Sequence, residues 1–277
     1  MDFLTDIFQY QYLANAFLAA ILSGVVCGII GSYIVSRRMV FLAGGITHAS
    51  FGGIGIALFL GSNPIIGAMI FAVGSSLGIE WANEKGKIRE DSAIGIIWSL
   101  GMAIGALFMS LRPGYTSGDL SAYLFGSILT VTSADVAALG VVTLVVVAGA
   151  LFFLHQVMLV AFDKDFAKSK GVSTRLVSYI MATITAVAIV LSIRIMGIVL
   201  LISLLSLPVV IADMISKSYR SIVIIAPIIA TIGNVGGLVF SYYCEIPPGT
   251  AIIFILSFML IAVKVVTLSR QKKLISR

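Results

Sequence analysis

The chain has 277 residues, of which 60% are hydrophobic and only 11% are charged, and its formal net charge is +6. A soluble domain carries about 25% charged residues, so this composition excludes an ordinary water-soluble protein. Apolar runs of about 20 residues, the length that crosses a bilayer as a helix, recur along the whole chain. They predict an all-α polytopic membrane protein, because open strands cannot satisfy their backbone groups in lipid.

Turn and loop residues divide the chain into nine predicted membrane spans. In chain order they cover residues 13–35, 39–61, 65–83, 92–111, 134–154, 176–193, 197–214, 221–242 and 250–268. The stretch 115–133 is interrupted by Gly, Ser and Thr, and we interpret it as a short extramembrane helix or a re-entrant piece.

The basic residues sort to one side of this nine-span arrangement. With the N-terminus outside and the C-terminus in the cytoplasm, all but Arg112 and Arg194 of the 18 Lys and Arg residues fall in cytoplasmic segments. Positive charge collects in cytoplasmic loops, so the distribution predicts this orientation in the membrane. It also accounts for the net charge without any binding of nucleic acid.

Pairs of glycines four residues apart recur along the chain. Such small-xxx-small pairs let membrane helices approach closely, because packing drives the association of helices in lipid. The pairs are Gly24/Gly28, Gly74/Gly78, Gly101/Gly105 and Gly233/Gly237.

His48, one of two histidines, lies in the middle of the second predicted span, within the run FLAGGITHASFGGIG. A buried imidazole needs partners, and each glycine beside it weakens a helix by about 1 kcal/mol relative to alanine. Two interpretations stay open for His48: a core histidine with satisfied hydrogen bonds, or a position on a transport path. Thr47, Ser50 and Asn234 are by themselves typical of hydrogen bonds between or within helices.

Six segments, spread over nearly the whole chain, resemble the permeases of zinc- and manganese-type ABC transporters. They are RRMVFLAGGITHASFGGIGIALFLG (37–61), KIREDSAIGIIWS (87–99), DLSAYLFGSILTVTSADV (119–136), LVAFDKDFAKSKGVSTRL (159–176), LISLLSLPVVIADMIS (201–216) and EIPPGTAII (245–253). The resemblance implies a type II importer permease, a bundle of about nine helices that forms a single transmembrane domain over residues 1–277. It also implies a prokaryotic plasma membrane, a second copy of the chain, two ATPase subunits, and a lipoprotein or periplasmic binding protein that delivers the metal.

The resemblance also implies roles for particular residues. His48 is the expected metal residue, and the expected lining of the transport path is Gly44, Gly45, Thr47, Ser50, Gly52 and Asn234. The cytoplasmic segment at about 159–176 is expected to dock on the ATPase through Phe162, Asp163, Phe166, Ala167 and Gly171. Asp119 and Glu245 are expected at the outer mouth, where they would attract cations or contact the binding protein.

The chain departs from its manganese-type relatives at Gly44, where those proteins commonly carry an Asp four residues before the histidine. That spacing would place a carboxylate and an imidazole on one helix face. Mn²⁺ prefers oxygen ligands and imidazole suits Zn²⁺, so the sequence favours zinc as the transported ion over manganese or iron.

The expected function is therefore that of the permease subunit of an ATP-driven importer of divalent metal ions. The sequence contains no GxxxxGK[ST] phosphate-binding motif, so we expect ATP on a partner subunit, no enzyme activity in this chain and no permanently bound cofactor. Two alternatives stay open. One is a permease of the same fold for a metal chelate such as a siderophore, which would need a wider cavity. The other is a secondary transporter, which would normally show paired carboxylates within the spans.

Overall fold

The computed structural model describes residues 3–85, 89–112, 124–127, 131–198 and 201–275. These residues are almost entirely helical and include no strand. In chain order the helices are α1 (Phe3–Gln9), α2 (Gln11–Ser36), α3 (Val40–Phe59), α4 (Pro64–Lys85), α5 (Glu90–Ser110), α6 (Ser133–Phe162), α7 (Lys164–Ser169), α8 (Thr174–Met196), α9 (Leu201–Ile215), α10 (Tyr219–Cys244) and α11 (Pro248–Ile275).

The membrane-spanning helices correspond to the predicted spans. In the described part of the chain, eight helices are long and apolar enough to cross a bilayer: α2, α3, α4, α5, α6, α8, α10 and α11. The remaining predicted span, residues 197–214, corresponds to α9, which is apolar but has only 15 residues. The predicted all-α polytopic fold is thereby confirmed.

Helix α6 is longer than the sequence predicted. It begins with a capping box in which Thr132 and Asp135 bond each other's backbone N–H groups, and it runs for 30 residues to Phe162. The predicted span ended at residue 154, because the polar His155 and Gln156 follow there. Neither residue interrupts a helix, so α6 continues until Asp163 turns the chain.

Helix α3 lies at the centre of the bundle and packs between α4 and α5. Its glycines form the contacts. A Cβ atom at Gly55 would lie 2.5 Å from the carbonyl oxygen of Gly105 in α5, and a Cβ atom at Gly53 would meet the backbone of Gly67 in α4. The helices therefore approach until their backbones touch, which only glycine at these crossings permits.

Three of the four predicted glycine pairs lie in close helix contacts, and the fourth does not. Gly24 and Gly28 pack against α10, Gly101 and Gly105 pack against α3, and Gly233 and Gly237 pack against α11, as predicted. For contacts within the chain, the prediction for Gly74 and Gly78 is wrong, because no atom lies within 4 Å of a Cβ at either position. This side of α4 faces outward, together with the exposed side chains of Ile66, Ile70 and Trp81.

The interrupted stretch 115–133 lies mostly outside the described residues. Its short described piece, residues 124–127, lies against the junction between α8 and α9. There Gly197 has a φ of 77°, and a Cβ atom at this position would meet the carbonyl group of Leu124. Glycine is therefore required both by the backbone conformation and by the close approach.

Candidate metal pathway and cytoplasmic coupling surface

His48 projects from the middle of α3 against α5. Its imidazole stacks on the indole of Trp98, with ring centroids 4.2 Å apart and an angle of 14° between the planes. Its Nδ1 atom lies 3.3 Å from the sulfur of Met102, one helical turn further along α5. The side chain keeps 8% of its exposure.

The partners of His48 bear on the two interpretations of this residue. A thioether is only a weak hydrogen-bond acceptor. In the described part of the chain, Met102 is the one hydrogen-bond partner recorded for the imidazole. Among the described residues, His48 therefore has an aromatic cover and a soft sulfur neighbour, and no strong hydrogen-bond acceptor or donor contacts its ring.

A strip of small residues on α5 adjoins this site. The exposed residues Ser92, Gly95, Ser99, Ala103 and Ala106 recur every three or four positions and so share one face of the helix. On the helical wheel this strip lies between the Trp98/Met102 side of α5 and an outward aliphatic strip. Exposed Ile96, Leu100 and Leu107 form that second strip.

The glycines beside His48 lie in close contact with other helices of the chain. A Cβ atom at Gly44 would lie 2.5 Å from Cζ3 of Trp98 and 2.7 Å from Cδ1 of Ile202. The indole thus covers the position at which manganese-type relatives carry an Asp. Gly45 and Gly52 likewise lie against α5, at Ile94 and Gly101.

The polar candidates near His48 are engaged in helix hydrogen bonds. The Thr47 hydroxyl donates to the carbonyl of Ala43, and the Ser50 hydroxyl donates to the carbonyl of Thr47. Asn234 in α10 donates to the carbonyl of Ala20 at 2.9 Å and to the hydroxyl of Ser23 at 3.0 Å, and both acceptors lie on α2. The structure does not bring Asn234 together with His48.

The metal ligands that one chain offers are few. Among the described residues there is no group of three or more His, Cys, Asp or Glu side chains that could hold a metal ion. Of the two expected residues at the outer mouth, Asp119 lies outside the described residues. Glu245 is exposed and ends α10 in the left-handed backbone conformation, with a φ of 55°.

The short helix α7 lies within the cytoplasmic segment predicted at 159–176. The carboxylate of Asp163 caps its start by accepting hydrogen bonds from the N–H groups of Asp165 and Phe166, each at 2.9 Å. Gly171, two residues after the end of α7, has a φ of 78°. Phe162 and Phe166 are exposed, and the ring of Phe162 also packs edge-on against Tyr219.

The position of Ala167 differs from the one expected for a residue that docks on the ATPase. It was expected to lie on the apolar edge that docks on a partner, but it is fully buried. Its carbonyl accepts the N–H of Val172, because the chain folds back under α7 on this side. Ala167 therefore belongs to the packing of α7 against the bundle, and the outward apolar surface consists of Phe162 and Phe166.

A buried ionic cluster joins α7 to the membrane helices. Glu80 of α4 accepts a hydrogen bond from Lys164 of α7 at 2.9 Å and lies 3.4 Å from Arg37, the residue that follows α2. Arg37 also donates to the hydroxyl of Tyr33 at 2.8 Å. Sequence reasoning missed this cluster, although a carboxylate inside the predicted span 65–83 was a signal for it. It also missed Trp98 and Met102, for which no motif gives a signal.

The fold and these features define a polytopic membrane protein built of helices. The chain belongs to the ABC 3 transport family, whose profile matches residues 9–267. It is 35% identical over 253 residues to a Chlamydia pneumoniae protein named "probable metal transport system membrane protein", covering 89% of this chain and 86% of that protein. It is 28% identical over 281 residues to the manganese transport system membrane protein MntC of Listeria monocytogenes, covering 99% of this chain and 100% of that protein.

A solved structure shares the architecture. The structure of PsaBC from Streptococcus pneumoniae in complex with Fab matches with a TM-score of 0.83 and 25% sequence identity, over 94% of each chain. The bundle therefore has the type II importer permease fold that the sequence predicted.

Proposed function

We propose that this chain is the membrane permease subunit of an ATP-driven importer of divalent metal ions in a prokaryotic plasma membrane. The observation that carries the proposal is the family match over residues 9–267. Relatives named for metal and manganese transport support the substrate class. The nucleotide-binding subunits are separate chains, and α7 with Phe162 and Phe166 is the surface that docks on them.

The permease works as a homodimer with the metal path between the two copies. The small-residue strip of α5 supports this pairing, because Ser92, Gly95, Ser99, Ala103 and Ala106 are exposed next to His48. Such small side chains allow a second helix to approach closely in lipid. Pairing about this strip would bring two His48 side chains to one path, and a single copy offers too few ligands to replace the water shell of an ion.

Zinc is the favoured ion. The site offers an imidazole and a thioether, and Trp98 occupies the space beside Gly44 where a carboxylate would stand. Imidazole suits Zn²⁺, whereas Mn²⁺ prefers carboxylate and other oxygen ligands. The soft sulfur of Met102 adds nothing for a hard ion.

An external binding protein delivers the ion, and the N-terminus lies outside with the C-terminus in the cytoplasm.

The test is uptake of radioactive Zn²⁺, Mn²⁺ and Fe²⁺ in a bacterial strain that lacks its own importers and expresses the chain with its ATPase and binding protein. We expect zinc uptake that depends on ATP. His48→Ala is expected to reduce it by at least tenfold with little change in assembly. His155→Ala is the matched control, because His155 is exposed on α6, about two turns before the helix ends at Phe162. Zinc uptake at the wild-type rate in His48→Ala would remove His48 from the path, and uptake of manganese alone would overturn the zinc assignment.

A further inference from the structure

A crevice of about 850 Å³ runs between α6 and α8, and its described lining includes no residue of α3 or α5. Residues of α2 and α10 also line it, among them Ile30 and Val223. The walls are aliphatic and aromatic along the membrane-spanning part, for example at Ala148, Phe152 and Ile180. A polar solute gains nothing from such walls, so the crevice suits a hydrocarbon chain.

The shape of the crevice fits one acyl chain. On α6 it extends from Leu144 to Val157, and it follows α8 from Leu176 to Ile184. Thirteen residues of α-helix rise about 20 Å. The hydrocarbon core is about 30 Å thick, so a crevice of this length reaches from one membrane surface past the bilayer centre. The long axis lies along the helices, in the direction in which lipid chains run.

The end of the crevice near α7 is polar and positively charged. Lys170 and Ser173 line it there, and both side chains are exposed. The neighbouring cations all have carboxylate partners: Lys164 pairs with Glu80, Lys168 with Asp165, and Arg175 with Glu84. Across the described residues, no carboxylate lies within ion-pair distance of Lys170, whose ammonium group sits 5.5 Å from the ring centre of Phe166.

Ser173 adds a second polar group at the same place. It precedes the first residue of α8, and its side chain makes no capping hydrogen bond to that helix. Its hydroxyl is therefore available to a ligand beside the ammonium of Lys170.

We propose that this crevice binds one anionic phospholipid, with its phosphate at Lys170 and Ser173 and one acyl chain between α6 and α8. An unpaired ammonium group at the mouth selects a headgroup of net negative charge over a zwitterionic one. The lipid belongs to the leaflet on the α7 side. Since Lys170 directly follows α7, the bound headgroup also fixes the end of that helix. The site is separate from the metal path and does not depend on which ion is transported.

The test uses native mass spectrometry of the full-length chain in detergent, with phosphatidylglycerol and phosphatidylcholine of identical acyl chains. We expect the protein to retain phosphatidylglycerol at least fivefold better. Lys170→Met is expected to abolish this preference, and Lys168→Met, a change of the same kind two residues away, is expected to keep it. Equal retention of the two lipids by the unmodified chain, or equal loss in both variants, would overturn the proposal.

A second variant tests the hydrocarbon part of the site. Gly149 lines the crevice, and no atom lies within 4 Å of a Cβ there, so a side chain can begin at this position and the ring of Gly149→Phe is expected to enter the crevice. We expect this variant to fold, as judged by its unfolding temperature, and to lose bound phosphatidylglycerol. In the unmodified chain, inorganic phosphate should not raise the unfolding temperature as phosphatidylglycerol does. An equal rise with phosphate alone would show an anion site without a lipid site and would contradict the proposal.

Discussion

Replacement of Glu80 by glutamine removes the charge at the centre of the ionic cluster while keeping its size. The Glu80 side chain is 5% exposed and that of Arg37 is 8% exposed, so the substitution takes a carboxylate away from a buried guanidinium. Breaking a buried pair by removing one partner costs about 3–5 kcal/mol, because the remaining charge stays out of water. Lys164 is 37% exposed and can be solvated, so we expect the lower end of this range.

The chain offers a matched control one turn away on the same helix. Glu84 pairs with Arg175 at 3.2 Å, but the two side chains are 39% and 69% exposed. Exposed pairs contribute about 0–1 kcal/mol. Glu84→Gln should therefore change stability by much less than Glu80→Gln, although both variants exchange the same two side chains on α4.

The assay is thermal unfolding of the full-length chain in detergent, followed by tryptophan fluorescence at one fixed scan rate. A loss of about 3 kcal/mol corresponds to a fall of about 6–12 °C in the apparent Tm for a protein of this size class. We expect a fall of at most about 4 °C for Glu84→Gln by the same conversion. Equal shifts in the two variants would refute the reasoning, since they would show that burial of the cluster adds nothing to its strength.

Three further predictions rest on the helix contacts and on α7. Gly53→Ala is expected to destabilise the bundle by about 1–3 kcal/mol through overpacking. Gly74→Ala meets no neighbour and removes a glycine that weakens the helix, so its apparent Tm is expected to stay the same or to rise by about 2–4 °C. Equal Tm values for the two variants would contradict the contact geometry. Gly44→Asp alone is expected to lower the Tm, because its side chain meets the Trp98 indole. The double variant with Trp98→Ala should recover stability and shift metal uptake towards Mn²⁺. Unchanged metal selectivity in the double variant would exclude position 44 from the path. Phe166→Glu is expected to keep the Tm but to lower transport and ATPase binding, and wild-type transport would exclude Phe166 from the docking surface.

The number and order of the membrane helices could be predicted because the bilayer sets one length for every span. Three of the four predicted glycine pairs also lie in close contacts between helices. Gly74 and Gly78 show the limit of that reasoning: spacing reveals that a face is smooth, and it does not reveal whether another helix of the same chain covers it. Likewise, the apolar character of Ala167 predicted an interface but not which one.

The surroundings of His48 were the least predictable part of the candidate site. The histidine itself stood out, because an ionisable residue in an apolar span is unusual. Its neighbours Trp98 and Met102 lie on another helix and are ordinary residues for a membrane span, so nothing in their local sequence marks them. Their contact with His48 depends on the rotation of α5 about its axis, which the glycine contacts with α3 determine only in the folded bundle.

The short length of α9 has a consequence for the depth of the surrounding membrane. Its 15 residues rise about 22 Å, whereas the hydrocarbon core is about 30 Å thick. Residues 197 and 198 before α9 are not helical, and the N–H and C=O groups of such chain are tolerated at membrane depth only against protein or water. At Gly197, the residue after α8, the chain is pressed against the carbonyl group of Leu124, so protein supplies the cover there. The junction between α8 and α9 is thus a place where hydrophobic mismatch is resolved by contact with protein.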